Sequence, residues 1–127
     1  MAAMIEIHDL VKRYGKKLAL DGISMTVGEG EIVGFLGPNG AGKSTTMNIL
    51  TGYLSSTSGE VKIDGLDILD DPTEAKKRIG FLPEQPPLYT EMTVGEYLNF
   101  VYELKSCRLD RRAHLDEVMQ VTRVKDV

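Results

Sequence analysis

Apolar positions recur in two different rhythms along the first part of the chain. Ile5-Glu6-Ile7-His8-Asp9-Leu10-Val11 opens with alternation, and Ile23, Met25 and Val27 alternate with Ser24 and Thr26. A period of two puts every second side chain on one face of a strand, so residues 5–11 and 22–27 are predicted strands. Ile32-Val33-Gly34-Phe35-Leu36 is instead apolar on both faces, the pattern of a strand buried in a parallel sheet. Residues 60–63 alternate again and run into the turn pair Asp64-Gly65, and residues 79–82 read as a short strand.

Elsewhere the rhythm is helical. Residues 43–51 predict a helix with Met47 and Leu50 facing inward. Asp71 stands where a helix cap would, with Pro72 at the first helical position and Glu74 completing a box-like arrangement. Lys76, Lys77 and Arg78 then suit the negative end of the helix dipole, and Gly80 is a stop. Thr93-Val94-Gly95-Glu96 is a capping box opening a helix whose apolar face is Val94, Tyr97, Leu98, Val101 and Tyr102. Asp110 can cap a further helix carrying Leu115, Val118, Met119 and Thr122. Strands and glycines lie before Pro86 and helices after it. The expected organisation is one α/β domain, with residues 1–85 as β portion and core and residues 86–127 as the beginning of a helical subdomain.

Composition narrows the function classes. A length of 127 residues suits one compact domain, and 42% hydrophobic with 27% charged residues is ordinary for a globular protein. A net charge of -4 counts against a nucleic-acid partner held by a diffuse basic surface. Cys107 is the single cysteine, so no intrachain disulfide forms, which fits a reducing compartment. The first residues lack the basic and apolar regions of a secretory signal, and no apolar run approaches the ~20 residues of a spanning helix. The expectation is a cytosolic chain whose membrane role, if any, comes through a partner.

The chemistry is concentrated in Gly37-Pro38-Asn39-Gly40-Ala41-Gly42-Lys43-Ser44, which meets the P-loop pattern G-x-x-x-x-G-K-[ST] at every fixed position. Glycines let the backbone curl until successive N–H groups converge on phosphate oxygens, and the following helix adds its positive end. Lys43 would reach the β- and γ-phosphates as a point charge. Ser44 would offer its hydroxyl to Mg²⁺, and Thr45 would bond the α-phosphate. Softer candidates surround this loop. Tyr14 reads either as plain packing or as a platform on which a purine stacks. Gln85 and Glu84 read either as solvated loop residues or as groups that position water or metal. His8 and His114 are isolated and receive no role.

The wording around the loop is more specific than the loop itself. Gly34-Phe35-Leu36-Gly37-Pro38-Asn39-Gly40-Ala41-Gly42-Lys43-Ser44-Thr45-Thr46 resembles the ATP-binding-cassette (ABC) ATPase family. Leu20-Asp21-Gly22-Ile23-Ser24, Thr57-Ser58-Gly59-Glu60-Val61 and Ile79-Gly80-Phe81-Leu82-Pro83 look like the same family's flanking phrases. Leu82-Pro83-Glu84 and Met92-Thr93-Val94-Gly95-Glu96-Tyr97-Leu98 look most like exporter-type subunits, the multidrug transporters among them.

The resemblance implies a P-loop NTPase fold cut short: an N-terminal antiparallel β portion, a P-loop core fragment and the start of a helical subdomain. It implies ATP and Mg²⁺ as cofactors, with Lys43 in the catalytic apparatus and Gly37, Pro38, Asn39, Gly40, Ala41, Gly42, Lys43, Ser44 and Thr45 around the nucleotide. Tyr14 falls at the family's adenine-stacking aromatic. The Q-loop glutamine, which senses Mg²⁺ and the transporter subunit, usually follows the proline at Pro83. That place holds Glu84, with Gln85 one residue on, so either would serve. The metal set would be Ser44 and Gln85. Partners would be a transmembrane permease subunit and a second ATPase subunit in a head-to-tail dimer, and the chain would sit on the inner face of the cell membrane through the permease.

One departure tempers this. Neither the Leu-Ser-Gly-Gly-Gln-type signature nor the apolar strand ending in Asp-Glu occurs within residues 1–127. Leu115-Asp116-Glu117 is a decoy, because its surroundings fit an amphipathic helix. Residues 1–127 are therefore expected to bind nucleotide without appreciable hydrolysis, and to self-associate through uncovered strand edges and apolar faces. A GTPase would want Asn-Lys-x-Asp, which is missing. A nontransport ABC protein acting on nucleic acid fits the acidic balance poorly. A simple nucleotide-binding module without turnover remains the third alternative.

Overall fold

The computed structural model describes residues 2–38, 40–85 and 88–127. The chain forms two compact units, one ending at Phe81 and the other comprising Leu82–Val127. Pro86, where the composition changes, lies outside the described residues.

The first unit is built on a four-stranded sheet in the order β2-β1-β3-β4. Its strands are β1 (Ala3–Tyr14), β2 (Lys17–Gly28), β3 (Ser58–Ile63) and β4 (Leu66–Asp67), and every pairing is antiparallel. Both N-terminal strands extend further than their alternation predicts. The β1–β2 hairpin closes at the pair Tyr14 and Lys17, leaving only Gly15 and Lys16 in the turn. Gly15 has φ 58, as a tight two-residue hairpin asks of its first central residue.

Strict alternation along β1 would put Ile5, Ile7 and Asp9 on one face. A bulge prevents this. Asp9 takes φ 48, the register shifts between Ile7 and Leu10, and Leu10 replaces Asp9 on the covered side. Asp9 tolerates that conformation, and its N–H donates to Ser24 Oγ at 2.9 Å. Ile7 and Leu10 are thus both fully buried, alongside Leu20, Ile49, Val61, Ile63 and Ala75. Gly59 (φ 95) lies against the bulge. A Cβ there would stand 2.4 Å from the Asp9 carbonyl oxygen, so only glycine fits.

Two helices belong to this unit, α1 (Lys43–Leu50) and α2 (Pro72–Lys77). Sequence periodicity turned α1 slightly wrong. Thr46 and Ile49 are its buried residues, Leu50 packs partly on the core, and Met47 is exposed. Thr46 can be buried because its hydroxyl donates to the Gly42 carbonyl at 2.8 Å, one turn back. In α2, Pro72 holds the first helical position as expected, but Asp71 makes no side-chain cap. Glu74 pairs with Lys77 at 3.2 Å instead of completing a box.

Residues 32–36 are not the buried strand that their two-sided apolar pattern predicts. They form no strand, and Ile32 and Leu36 are 101% and 91% exposed. A two-sided apolar strand exists only between neighbours, and none of the four strands of this sheet pairs with it. Residues 79–82 likewise form no strand.

The second unit holds α3 (Val94–Leu104) and α4 (Arg111–Val121). The predicted capping box opens α3: Glu96 N–H donates to Thr93 Oγ1 at 3.1 Å, and Thr93 N–H to Glu96 Oε1 at 3.0 Å. Tyr97, Leu98, Val101 and Tyr102 are half-buried, whereas Val94 is exposed, so the apolar stripe begins one turn later than expected. Asp110 caps α4 by accepting from Ala113 N–H at 2.9 Å. Leu115 is buried, Val118 and Met119 are half-buried, and Thr122 is exposed where α4 ends. Leu115-Asp116-Glu117 lies inside this helix, as its spacing indicated.

Candidate functional site

The loop from Gly37 to Gly42 delivers the chain into α1. Ala41 N–H donates to the Pro38 carbonyl at 3.1 Å, and Gly40 (φ 84) and Gly42 (φ 101) hold left-handed conformations that other residues resist. Gly42 is the N-cap of α1. A Cβ on it would meet Leu20 Cδ2 at 2.6 Å and the Ala19 carbonyl oxygen at 3.0 Å, so the helix start is pressed against β2.

The first bond of the α1 ladder is Thr46 N–H to the Gly42 carbonyl, at 2.9 Å. The N–H groups of Lys43, Ser44 and Thr45 precede it, and among the described residues no side chain caps this helix. Uncapped first-turn donors at the positive end of a helix suit an anion.

The residues that carry those donors line an open cavity of about 210 Å³, together with Tyr14, Lys17, Leu18, Ala19, Gly40 and Gly42. Lys17 and Lys43 supply positive charge, and among the described residues no acidic one lines the space. The Lys43 ammonium donates to the Gly37 carbonyl, an arm folded back onto its own loop. Tyr14, at the end of β1, is 47% exposed, leaving ring surface for a ligand. Lys12 Nζ lies 5.2 Å from the centre of the same ring.

The predicted residues therefore divide. Tyr14, Gly40, Gly42, Lys43, Ser44 and Thr45 come together around one cavity. Gly37, Pro38 and Ala41 shape the loop without lining it, and Asn39 lies outside the described residues. Glu84 and Gln85 are exposed bend residues at the start of the second unit. Lys17, Leu18 and Ala19 are lining residues that motif reading passed over. Their signal was the two-residue turn after Tyr14, which makes Lys17 its cross-strand partner.

The donor set fits the phosphates of a nucleotide: main-chain N–H groups, the ammonium groups of Lys17 and Lys43, and no carboxylate among the described lining residues. It also fits Mg²⁺ in part, since the Ser44 hydroxyl is a hard oxygen ligand on the cavity wall, and this ion commonly takes its other ligands from phosphate and water.

The ABC transporter family profile matches residues 20–127, nearly the whole chain. The chain belongs to the ABC transporter family. Among this ABC chain's relatives, the bacitracin transport ATP-binding protein BcrA of Bacillus licheniformis is 36% identical over 121 residues, covering 95% of the chain and 39% of the relative. The linearmycin resistance ATP-binding protein LnrL of Bacillus subtilis (strain 168) is 38% identical over 128 residues, covering 97% of the chain and 41% of the relative. A solved ATP-binding subunit of an ABC transporter superposes with a TM-score of 0.77 at 31% identity, covering 84% of this chain and 44% of that one. The ABC chain thus spans about two fifths of the length of these curated relatives. Among its described residues, no helix is long and apolar enough to cross a membrane.

Proposed function

We propose that this chain is the ATP-binding part of an ABC transporter ATPase subunit, which couples ATP binding and hydrolysis to movement of a substrate across a membrane. The observation that carries the reading is the uncapped start of α1, with Lys43 beside it, sharing one cavity with the ring of Tyr14. A bound nucleotide would supply a polyphosphate anion at one end and a flat base at the other. Main-chain N–H groups of residues 43–45 would hold the polyphosphate, and Lys43 would leave the Gly37 carbonyl to meet it. Ser44 would give its hydroxyl to Mg²⁺, and Tyr14 would carry the base.

The names of the relatives, bacitracin transport and linearmycin resistance, support an exporter-type assignment. Under it, the partners are a membrane-spanning permease subunit and a second ATPase subunit docked head to tail. The chain works in the cytoplasm at the inner membrane face, with Glu84 or Gln85 as the residue linking nucleotide and permease. Residues 1–127 by themselves bind nucleotide and do not turn it over, because they contain no apolar strand ending in Asp-Glu to polarise a water.

Calorimetric titration of the full-length protein with Mg-ATP tests the reading. Binding should be saturable and weaken by about ten- to a hundred-fold in Lys43→Ala, which removes a charge-assisted contact. Indifference to Mg-ATP in the unsubstituted protein rejects it. A turnover rate for residues 1–127 above that of their Lys43→Ala variant rejects the claim that this segment only binds.

A further inference from the structure

Lys12, outside the cavity lining, has two neighbours at the ammonium end of its side chain. Its ammonium donates to the Ser55 carbonyl at 2.7 Å and stands 5.2 Å from the centre of the Tyr14 ring. Ser55 belongs to the segment that leaves the C-terminal end of α1 and leads into β3. Two further bonds tie that segment to β1: Thr57 N–H donates to the Val11 carbonyl at 2.8 Å, and Arg13 N–H donates to Thr57 Oγ1 at 2.9 Å. The strand carrying the aromatic platform is thus clasped to the chain leaving the helix that carries the phosphate donors.

We propose that Lys12 is a positioning residue for nucleobase binding: held by the Ser55 carbonyl, its ammonium backs the Tyr14 ring and sets the orientation in which a purine stacks. The physical basis is threefold. A half-exposed tyrosine at a strand end has more than one rotamer open to it, and stacking a base on it requires one orientation. A cation near a ring is attracted by the ring's quadrupole, which favours the rotamer that keeps the pair together. The Ser55 carbonyl favours one position of the ammonium, and so one side from which the cation meets the ring. Lys12 does not line the cavity itself, so it acts through Tyr14.

The proposal rests on the nucleotide reading of the same cavity, and the experiment separates the two. Affinities of the full-length protein for Mg-ATP and for inorganic tripolyphosphate, which has phosphates but no base, are measured at about 0.15 M salt, where charges beyond about 8 Å are screened. Lys12→Met should weaken Mg-ATP by about two- to five-fold, the scale of an exposed cation–ring contact, while leaving tripolyphosphate unchanged. Lys12→Arg should restore the loss, since a guanidinium also meets a ring and a carbonyl. In a Tyr14→Ala background, Lys12→Met should have no further effect on Mg-ATP. Equal weakening of both ligands, unchanged Mg-ATP affinity, or a loss that persists without Tyr14 overturns the proposal. Should the unsubstituted protein ignore both ligands, the nucleotide reading itself fails and the proposal with it.

Discussion

Gly42 and Leu20 meet with no space between them: a Cβ on the glycine would lie 2.6 Å from the leucine Cδ2. The contact joins the N-terminus of α1 to β2, and Leu20 is itself part of the buried core. The end of the loop, where α1 starts, is therefore held by the sheet and not by the loop alone.

From this contact, Gly42→Ala should cost about 2–4 kcal/mol, combining a left-handed backbone (φ 101) with overpacking of Leu20. Mg-ATP binding should be lost with it. Gly40→Ala is the control, because its φ of 84 is unfavourable but its surroundings are open, leaving only the backbone penalty of about 1–2 kcal/mol. Urea unfolding of both variants checks the difference, and equal costs would show that the Leu20 contact relaxes freely.

Gly59 makes a second close approach, to backbone atoms of Asp9 and Leu10 that cannot rotate away. Gly59→Ala should destabilise the sheet by at least about 2 kcal/mol, since either the bulge or the β1–β3 pairing must shift. Amide hydrogen exchange reads this directly. Protection should fall in residues 5–11 and 58–63 together, and retained protection there would refute the account.

Ile32 and Leu36 expose nearly all of their apolar surface. Residues 1–127 prepared alone should self-associate as concentration rises, and Ile32→Lys with Leu36→Lys should shift them toward monomer. Multi-angle light scattering across a dilution series gives the answer. A monomer at high concentration without the substitutions rules the idea out.

The capping box of α3 has a pH signature. The Glu96 carboxylate is held below the usual glutamate range, first by the backbone hydrogen bond from Thr93 and then by its side-chain bond with Thr93. A carboxyl group whose folded value is depressed stabilises fully above its unfolded value and loses that contribution as pH falls through the folded value. The start of α3 should thus loosen on acidification, seen as a shift of the Thr93 amide resonance that is absent in Glu96→Gln. Thr93→Ala should cost about 0.5–2 kcal/mol at neutral pH. An amide that ignores acid would remove the link between ionisation and the cap.

Much of this molecule was legible one residue at a time. The loop from Gly37 to Ser44, the Thr93–Glu96 box, the Asp110 cap and the alternation around Ile23 and Met25 are written in neighbouring residues. Each depends on backbone conformation or hydrogen bonds that span only a few positions. The tertiary structure decided the rest. Whether Asp9 or Leu10 enters the core depends on a bulge that Gly59, fifty positions away in the sequence, has room to meet. Whether Met47 or Ile49 is buried depends on what α1 lies against, and whether residues 32–36 form a strand depends on a partner strand beside them. Pairing and burial are properties of neighbours distant in sequence, so short-range rhythm cannot specify them. The meeting of Tyr14, Lys12 and Ser55 is of that kind, since it arises only once β1 and the segment after α1 are side by side.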